Sequence, residues 1–351
     1  MLVAQQEENT PMRSKLKMLV PSIGIFFTPL PLREAFLQTD SKRAISQRRF
    51  VAPSFNGITL AAKTNLDIRR LLATAQLLAL TNPASVEHKL QLITFDGDVT
   101  LYPDGSTLLA ENPVIPCIIK LLSRGIKVGI VTAAGYPDHH GIEYSRRLIG
   151  LLQAISASNL PQQQKNNLAI LGGECNYLFR FDGATGALEW VDEDIWTLDE
   201  MRSWDEEDIQ TLLNLAQSSL ENCAEALRLR VQIIRKPRAV GLSLLGYANP
   251  GLVPDGMRLT RECLEEAVLA SQRTLSHEDV AEKIPFCCFN GGSDVWIDVG
   301  DKSLGVSVLQ RYFTALDGSK IWGGNTLHVG DQFMSLGGND FKAVSHEKGT
   351  N

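Results

Sequence analysis

Three apolar runs far apart in the chain each end in a carboxylate or hydroxyl side chain. They are LQLITF (90–95), followed by Asp96 and Asp98, KVGIV (127–131), followed by Thr132, and TLHVG (326–330), followed by Asp331. Between the first two lies NPVIPCIIKLLSRG (112–125), whose apolar residues recur at helical spacing and stop at Gly125. GIEYSRRLIGLLQAI (141–155) predicts a second helix, and NLAILGGECN (167–176) a third short strand. Strands alternating with helices at this spacing predict a parallel sheet joined by right-handed crossovers. Such sheets bind ligands beyond the carboxyl ends of their strands, so the polar residues are expected to converge on one edge.

The remaining chain divides around this pattern. Residues 1–12 are polar and predicted to be disordered. From Pro21 to Leu80 the spacing is helical, as in LREAFLQ and LDIRRLLATAQLLALT, with RRFVAPSFN as a loop between them. YLFRFDGATGALEWVD (177–192) has two runs around Asp-Gly and Thr-Gly, a hairpin pattern. DEEDIQTLLNLAQSSLENCAEALRL (205–229) reads as a long helix with Asp205 near its N-cap and acids in its first turn. VQIIRKPRAVGLSLL (231–245) reads as a strand pair and RECLEEAVLASQRTL (261–275) as a further helix. The first pattern then resumes with DVWIDVG, the helix SLGVSVLQRYFTAL and TLHVGD. The expected division is a helical N-terminal region over 1–85, an α/β core over 86–176 and 291–351, and an inserted α+β unit over 177–290.

Bulk properties exclude several functions. The 351 residues suffice for more than one domain, and 44% hydrophobic with 21% charged residues is ordinary for a soluble protein. A net charge of −6 argues against a nucleic-acid partner held by a basic surface. The six cysteines form no CxxC pair and no zinc-spaced cluster, so free thiols in a reducing, cytoplasmic compartment are expected. Arg13, Lys15 and Lys17 precede an apolar stretch, but three prolines interrupt it and no small-residue cleavage site follows, against secretion. No run of 18 or more apolar residues exists, so no membrane partner is expected.

Two aspartates one residue apart repel each other, and phosphoryl transfer gives that repulsion a use. Mg²⁺ takes oxygen ligands, often one or two carboxylates with the substrate phosphate, and Asp96 and Asp331 suit it. One aspartate can then attack phosphorus and form an aspartyl phosphate. Its neighbour can protonate the leaving oxygen and later take a proton from water. Thr132 and a lysine would bind the phosphate oxygens as charge builds.

FDGDVT resembles the DxDxT signature of haloacid-dehalogenase-type phosphatases. GIVTAAG resembles their second motif, DVGDKSLG their lysine motif and GDQFMSLGGND their acidic motif. RRFVAPSFN, FDGDVTLYPDG, IVTAAGY, GGECNYLFRFD, FNGGSDVWIDVGDKSLGV and LHVGDQF with GND are similar to one family within that group, the IMP-specific 5′-nucleotidases, over about residues 20–342. The resemblance implies a haloacid-dehalogenase-like Rossmannoid core with a C2-type α+β cap and an N-terminal helical region. It implies Mg²⁺-dependent hydrolysis of IMP to inosine and phosphate. Asp96 then matches the nucleophile and a metal ligand. Asp98 matches the general acid/base, meeting substrate and binding metal through its backbone carbonyl. Asp331 matches the third metal ligand, and Thr132 and Lys302 the phosphate-binding pair. Asp104, in the YPDG turn, would face the nucleotide, with Ser293, Asp294 and Asp298 as further substrate-side candidates. Asn339 and Asp340 match the half of the acidic motif that buttresses the metal site. The resemblance also implies a homo-oligomer, a tetramer, activated by ATP through the N-terminal region, where Arg48 and Arg49 are candidates for the effector's phosphates.

Blander readings compete. A DxD alone is more often a solvated turn, and it is the convergence with Thr132, Lys302 and Asp331 that favours catalysis. Adjacent His139 and His140 point apart, which favours a loop role. Trp190, Trp196 and Trp204 are expected to pack rather than stack on a base, and the acids at 205–208 to start a helix. FNGGSDVWIDVGDK and GDQFMSLGGND also resemble phosphomannomutases, giving a phosphosugar enzyme as the alternative. Asp104 and the N-terminal helices argue against it. Two departures stand out. GITLAAKT (57–64) interrupts an N-terminal block, and the polar VSHEKGTN stands where the family continues with a strand and a helix. The second predicts an uncovered sheet edge and a looser Asp331 loop. It leaves open a weakly active nucleotide-binding subunit that assembles with a complete paralogue.

Overall fold

The computed structural model describes residues 90–244, 259–332 and 339–340. In chain order the core elements are β1 (Leu92–Phe95), α1 (Val114–Ser123), β2 (Lys127–Val131), α2 (Ile142–Arg147), α3 (Ile149–Ala157), α4 (Gln162–Lys165), β3 (Leu168–Gly172), β4 (Tyr177–Asp182) and β5 (Ala187–Trp190). After them come α5 (Glu193–Trp196), α6 (Glu206–Ala226), β6 (Val231–Lys236), β7 (Ala239–Leu244), α7 (Arg261–Leu275), α8 (Val280–Lys283), β8 (Phe286–Asn290), β9 (Val295–Val299), α9 (Lys302–Asp317) and β10 (Thr326–Val329).

The first sheet runs β10-β1-β2-β3-β4-β5. β10, β1, β2 and β3 are parallel, and β4 and β5 continue antiparallel. All five residues of β3 are buried, as expected of a strand covered on both faces. On one face Ile118, Leu122, Leu151 and Ile155 pack on Val128, Ile130 and Ile170. On the other, Val308, Leu309 and Phe313 of α9 pack on Leu92, Val131 and Leu171. The mixed α/β fold with a parallel sheet is thus the expected one.

Several boundaries differ from the expectation. The helix predicted over 141–155 is two helices, broken at Leu148. The segment at Leu108 crosses there: Leu108 N–H donates to Arg147 O at 2.7 Å and Gly150 N–H donates to Leu108 O at 2.9 Å. The hairpin 177–190, placed in the inserted unit by sequence, instead extends the core sheet. Its Leu178, Phe179 and Phe181 are fully buried, and the core supplies their partners. DVWIDVG, expected to resume the core, is β9 of a second sheet of order β6-β7-β9-β8, and β8 itself was not anticipated.

That second sheet is antiparallel and covered on one face by α6 and α7. Val295, Ile297 and Val299 of β9 point into this cluster, so period-two alternation turns Trp296 and Asp298 to the opposite face. Asp205 caps α6 by accepting from Glu207 N, and the acids at 205–208 open that helix as expected. Trp196 is buried with its indole N–H on Val191 O at 3.1 Å. His139 is exposed and stacks on Trp190 at 4.1 Å. All six cysteines are free. Among the described residues no helix is long and apolar enough to cross a membrane, and β10 is an outer strand of the first sheet. The segments 57–64 and 341–351 lie outside the described residues.

Gly150 tests the α2–α3 break. A Cβ there would collide with the backbone of Leu109 and Ala110. Gly150→Ala should lower stability by about 1–3 kcal/mol, read from urea denaturation. An unchanged midpoint would contradict the close approach.

Candidate active site

The carboxyl ends of β1, β2 and β10 deliver the expected groups to one edge. Asp96 follows β1, is 5% exposed, and receives Lys302 Nζ at 2.7 Å. Lys302 is the first residue of α9 and is fully buried. Asp301 caps that helix by accepting from Ser303 N and Leu304 N, which fixes where the lysine starts. Lys302 also reaches Asp340 at 2.9 Å. Asp340 is completely buried and receives further bonds from Gln332 N–H at 2.8 Å and His328 Nε2 at 3.0 Å. The other ring nitrogen of His328 bonds Thr94 Oγ1 at 2.8 Å. Gly330 lies so close that a Cβ there would collide with the Asp340 carboxylate.

Asp331 is exposed beside this pair, and oxygens of Asp96, Asp331 and Asp340 all lie within 4.8 Å of one another. Of these three carboxylates, Lys302 pairs with two, Asp96 and Asp340. Burial pushes Asp96 up to about 6, against the pull of Lys302. Burial and Asp340 likewise raise Asp331. Burial alone would raise Asp340 too, but Lys302 and His328 overcome it and hold this acid well below the usual range. Oxygen donors, excess negative charge and partial exposure suit a hard divalent cation. Asp340, expected only to buttress the site, joins Asp96 and Asp331 in this carboxylate set.

Asp98 accepts from Arg147 Nη1 at 2.9 and 3.1 Å and from Gly105 N–H at 2.9 Å. Gly97, between the two aspartates, leaves no room for a side chain: a Cβ would lie 2.6 Å from Tyr102 Oη and 3.3 Å from Thr132 Oγ1. Val99, just after Asp98, has φ 64°, a strained conformation for a β-branched residue. Thr132 is buried at the end of β2, and its hydroxyl accepts from Ala134 N–H at 3.1 Å. Asp104 is exposed and is raised by burial of its carboxyl and by Asp98.

The remaining candidates come from the turn before β9. Ser293 is exposed, whereas Asp294 and Asp298 are 5% and 2% exposed. Burial raises Asp294 and pushes Asp298 up to about 7. Asn339 is buried and donates to Glu174 Oε1 at 3.0 Å. Arg48 and Arg49 lie outside the described residues.

Sequence reasoning missed Glu174, Arg147 and His328. Glu174 follows β3, is fully buried with φ 65°, and burial raises its carboxyl well above the ordinary value. Its N–H donates to Thr132 O at 3.0 Å, and Asn176 Nδ2 in the same loop donates to Val299 O at 2.8 Å. One loop thereby joins the β2 end, the acidic motif and the second sheet. The signal was an acid inside the apolar run LAILGGEC. Arg147 left no signal, since a dibasic pair on a helix is ordinary.

A parallel sheet that gathers carboxylates, a buried lysine and a threonine at one edge has the form of a phosphohydrolase. The sequence model of the IMP-specific 5′-nucleotidases matches residues 2–349. The chain is 50% identical over 343 residues to the IMP-specific 5′-nucleotidase 1 of Aspergillus fumigatus, spanning 97% of this chain and 70% of the relative. It is 48% identical over 330 residues to that of Schizosaccharomyces pombe, spanning 94% and 74%. The IMP-bound structure of a Plasmodium falciparum IMP-nucleotidase mutant is similar at TM-score 0.73 and 33% identity, covering 94% of this chain and 78% of that one. An ATP-bound structure of the Plasmodium falciparum enzyme is similar at TM-score 0.69 and 34% identity, covering 95% and 69%. The chain belongs to the IMP-specific 5′-nucleotidase family, a family of phosphoric monoester hydrolases.

The raised carboxylates give a pH signature in protein freed of divalent ions. Asp298 near 7 and Asp96 near 6 hold protons that the unfolded chain, at the ordinary 3.8, has released. The folded state therefore binds more protons between those values, and stability rises as pH falls through them. The depressed Asp340 acts in the opposite sense, in the window below its ordinary 3.8. Urea denaturation in EDTA should show greater stability at about pH 5 than at about pH 8, with a smaller gain in Asp298→Asn. A flat or inverted profile would contradict the burial of these acids.

Proposed function

We propose that the chain hydrolyses IMP to inosine and phosphate, with Asp96 as nucleophile and Asp98 as proton shuttle. The observation that carries this reading is the buried Lys302 held between Asp96 and Asp340 at the edge where Thr132 and Asp331 also end their strands. An oxygen of Asp96 attacks phosphorus as the bond to O5′ of inosine breaks. O5′ takes a proton from Asp98, and the nucleophile becomes an aspartyl phosphate. Water then attacks that phosphorus, Asp98 takes its proton, and phosphate leaves with Asp96 restored. Lys302 and the Thr132 hydroxyl stabilise charge on the phosphoryl oxygens.

Mg²⁺ fits the Asp96, Asp331 and Asp340 oxygens, with the Asp98 backbone carbonyl as a further ligand in this reading. When bound it would neutralise phosphate charge and relieve the repulsion among the carboxylates. Asp104, Ser293, Asp294 and Asp298 face the substrate, and Asn339 supports the acidic motif through Glu174. The α+β unit carrying α6, α7 and the second sheet acts as the cap, with its limits near Val191 and Gly300. Cytoplasmic location, a homotetramer and ATP activation belong to the same reading. A Plasmodium relative with ATP bound supports the last.

The test is phosphate release from IMP, AMP, GMP and mannose phosphates, with Mg²⁺ or with EDTA, and with or without ATP. IMP should be preferred and EDTA should abolish turnover. Asp96→Asn should lower kcat by at least about 10⁴-fold. Preference for a mannose phosphate would overturn the substrate, and full activity of that variant would overturn the mechanism.

A further inference from the structure

The face of the second sheet turned away from α6 and α7 looks into the site. It carries Trp296, with Asp298 two residues on and Asp294 two residues before. Register sets Gly241 of β7 opposite Trp296, and a Cβ at Gly241 would lie 2.7 Å from the indole. The indole therefore lies flat across β7 and reaches toward β6. There the ammonium of Lys236, the last residue of β6, sits 4.3 Å from the Trp296 ring centroid. The same ammonium is 5.7 Å from the ring of Tyr136, in the loop after β2 of the core. Arg147, which grips Asp98, stands 5.8 Å from that ring as well. A path of alternating cations and aromatic rings thus leads from the proton shuttle to Lys236. The turn before β9 bounds the same space, since a Cβ at Gly292 would lie 3.4 Å from Asp104 Oδ2.

Lys236 is half-buried, and among the described residues no carboxylate comes within ion-pair distance of it. Its rings meet the charge but accept no conventional hydrogen bond, so its N–H donors remain available to a ligand. Lys302 already serves the phosphate beside Asp96. A second cation beyond Arg147 and Tyr136 stands where, on the proposed function, the other end of the nucleotide would lie. A 6-oxopurine presents two acceptors on one edge, O6 and N7, whereas adenine replaces O6 by an amino donor. An ammonium pairs with the first edge and sets donor against donor at the second.

We propose that Lys236, carried on Trp296 and Tyr136, is a specificity-determining residue that donates to the O6/N7 edge of a 6-oxopurine nucleotide. This rests on the reading that the site takes a purine 5′-monophosphate, and the test separates the two. Steady-state kcat/KM is measured for IMP, AMP and purine riboside 5′-monophosphate, which lacks any 6-substituent. The wild-type chain should prefer IMP to both by about 10- to 100-fold, the range for one hydrogen bond to a charged donor. Lys236→Met should bring IMP down toward the other two, chiefly through a higher KM, and Lys236→Arg should restore part of the difference. Equal use of IMP and purine riboside monophosphate by the wild type overturns the proposal. So does an unchanged IMP/AMP ratio in a folded Lys236→Met. In both cases IMP cleavage itself leaves the proposed function standing. Absence of IMP cleavage by the wild type fails that function and this proposal with it. If a thermal melt shows Lys236→Met unfolded, the wild-type comparison of the three nucleotides decides alone.

Discussion

A fully buried lysine shared by two buried aspartates holds this edge of the molecule together. Lys302 reaches Asp96 at 2.7 Å and Asp340 at 2.9 Å, and so ties the end of β1 to the acidic motif after β10. Burying such charges is unfavourable unless each finds partners. Here the partners are provided from every side: the α9 cap at Asp301 sets the lysine's position, and His328 and the Gln332 N–H complete Asp340. Removing the lysine would strand two acids in the interior. The same arrangement suits the proposed chemistry, in which Asp96 and Lys302 would be the nucleophile and the phosphoryl-stabilising cation, positioned before any substrate arrives.

Around that pair the fold brings two sheets together at one loop. Residues 173–176 bond to Thr132 O, to Val299 O and, through Glu174, to Asn339. The carboxyl edge of the parallel sheet and the open face of the second sheet therefore share a fixed joint. The helix-covered face of the second sheet is apolar and closed by α6 and α7. Its other face keeps Asp294, Trp296, Asp298 and Lys236, a set that packing alone would not select. Glu174 Oε2, Asn339 Oδ1 and Asp298 Oδ1 are buried without a protein partner. Arg235 Nη1 and Ser243 Oγ share this state, so it is the grouping of three acceptors around one joint that fits a ligand or cation there.

The core was legible because its signal is local. Apolar runs that stop at Asp96, Thr132 and Asp331 need only the parallel-sheet rule to bring them together, and the helix at 206–226 announces itself through Asp205. What sequence could not assign was which sheet a strand joins. YLFRFDGATGALEW is a hairpin by its turn residues, but its neighbour is chosen by nonlocal burial of Leu178, Phe179 and Phe181. DVWIDV alternates as a strand must, yet nothing local says that Val295, Ile297 and Val299 face α6 and α7. Lys236 in IIRKPR is, by sequence, only one residue of a strand pair, and nothing local places Tyr136 and Trp296 against it. The acidic motif was legible as a motif. That Asp340 joins Asp96 and Asp331 in one carboxylate group, and that Arg147 holds the Asp98 side chain, was not.

That diversion bears on the order of events. Asp98 accepts two bonds from Arg147 and one from Gly105 N–H, so its carboxyl oxygens are engaged away from the Asp96–Lys302 pair. In the proposed mechanism Asp98 has to meet the leaving oxygen, so Arg147 has to release it or share it first. A dianionic phosphate entering beside Lys302 brings a competing partner for the guanidinium. Arg147 lies between Asp98 and Tyr136, within reach of both the reacting end and the space under Lys236. The charge of the substrate can thus draw Arg147 off and, in the proposed mechanism, leave Asp98 free to meet the leaving oxygen.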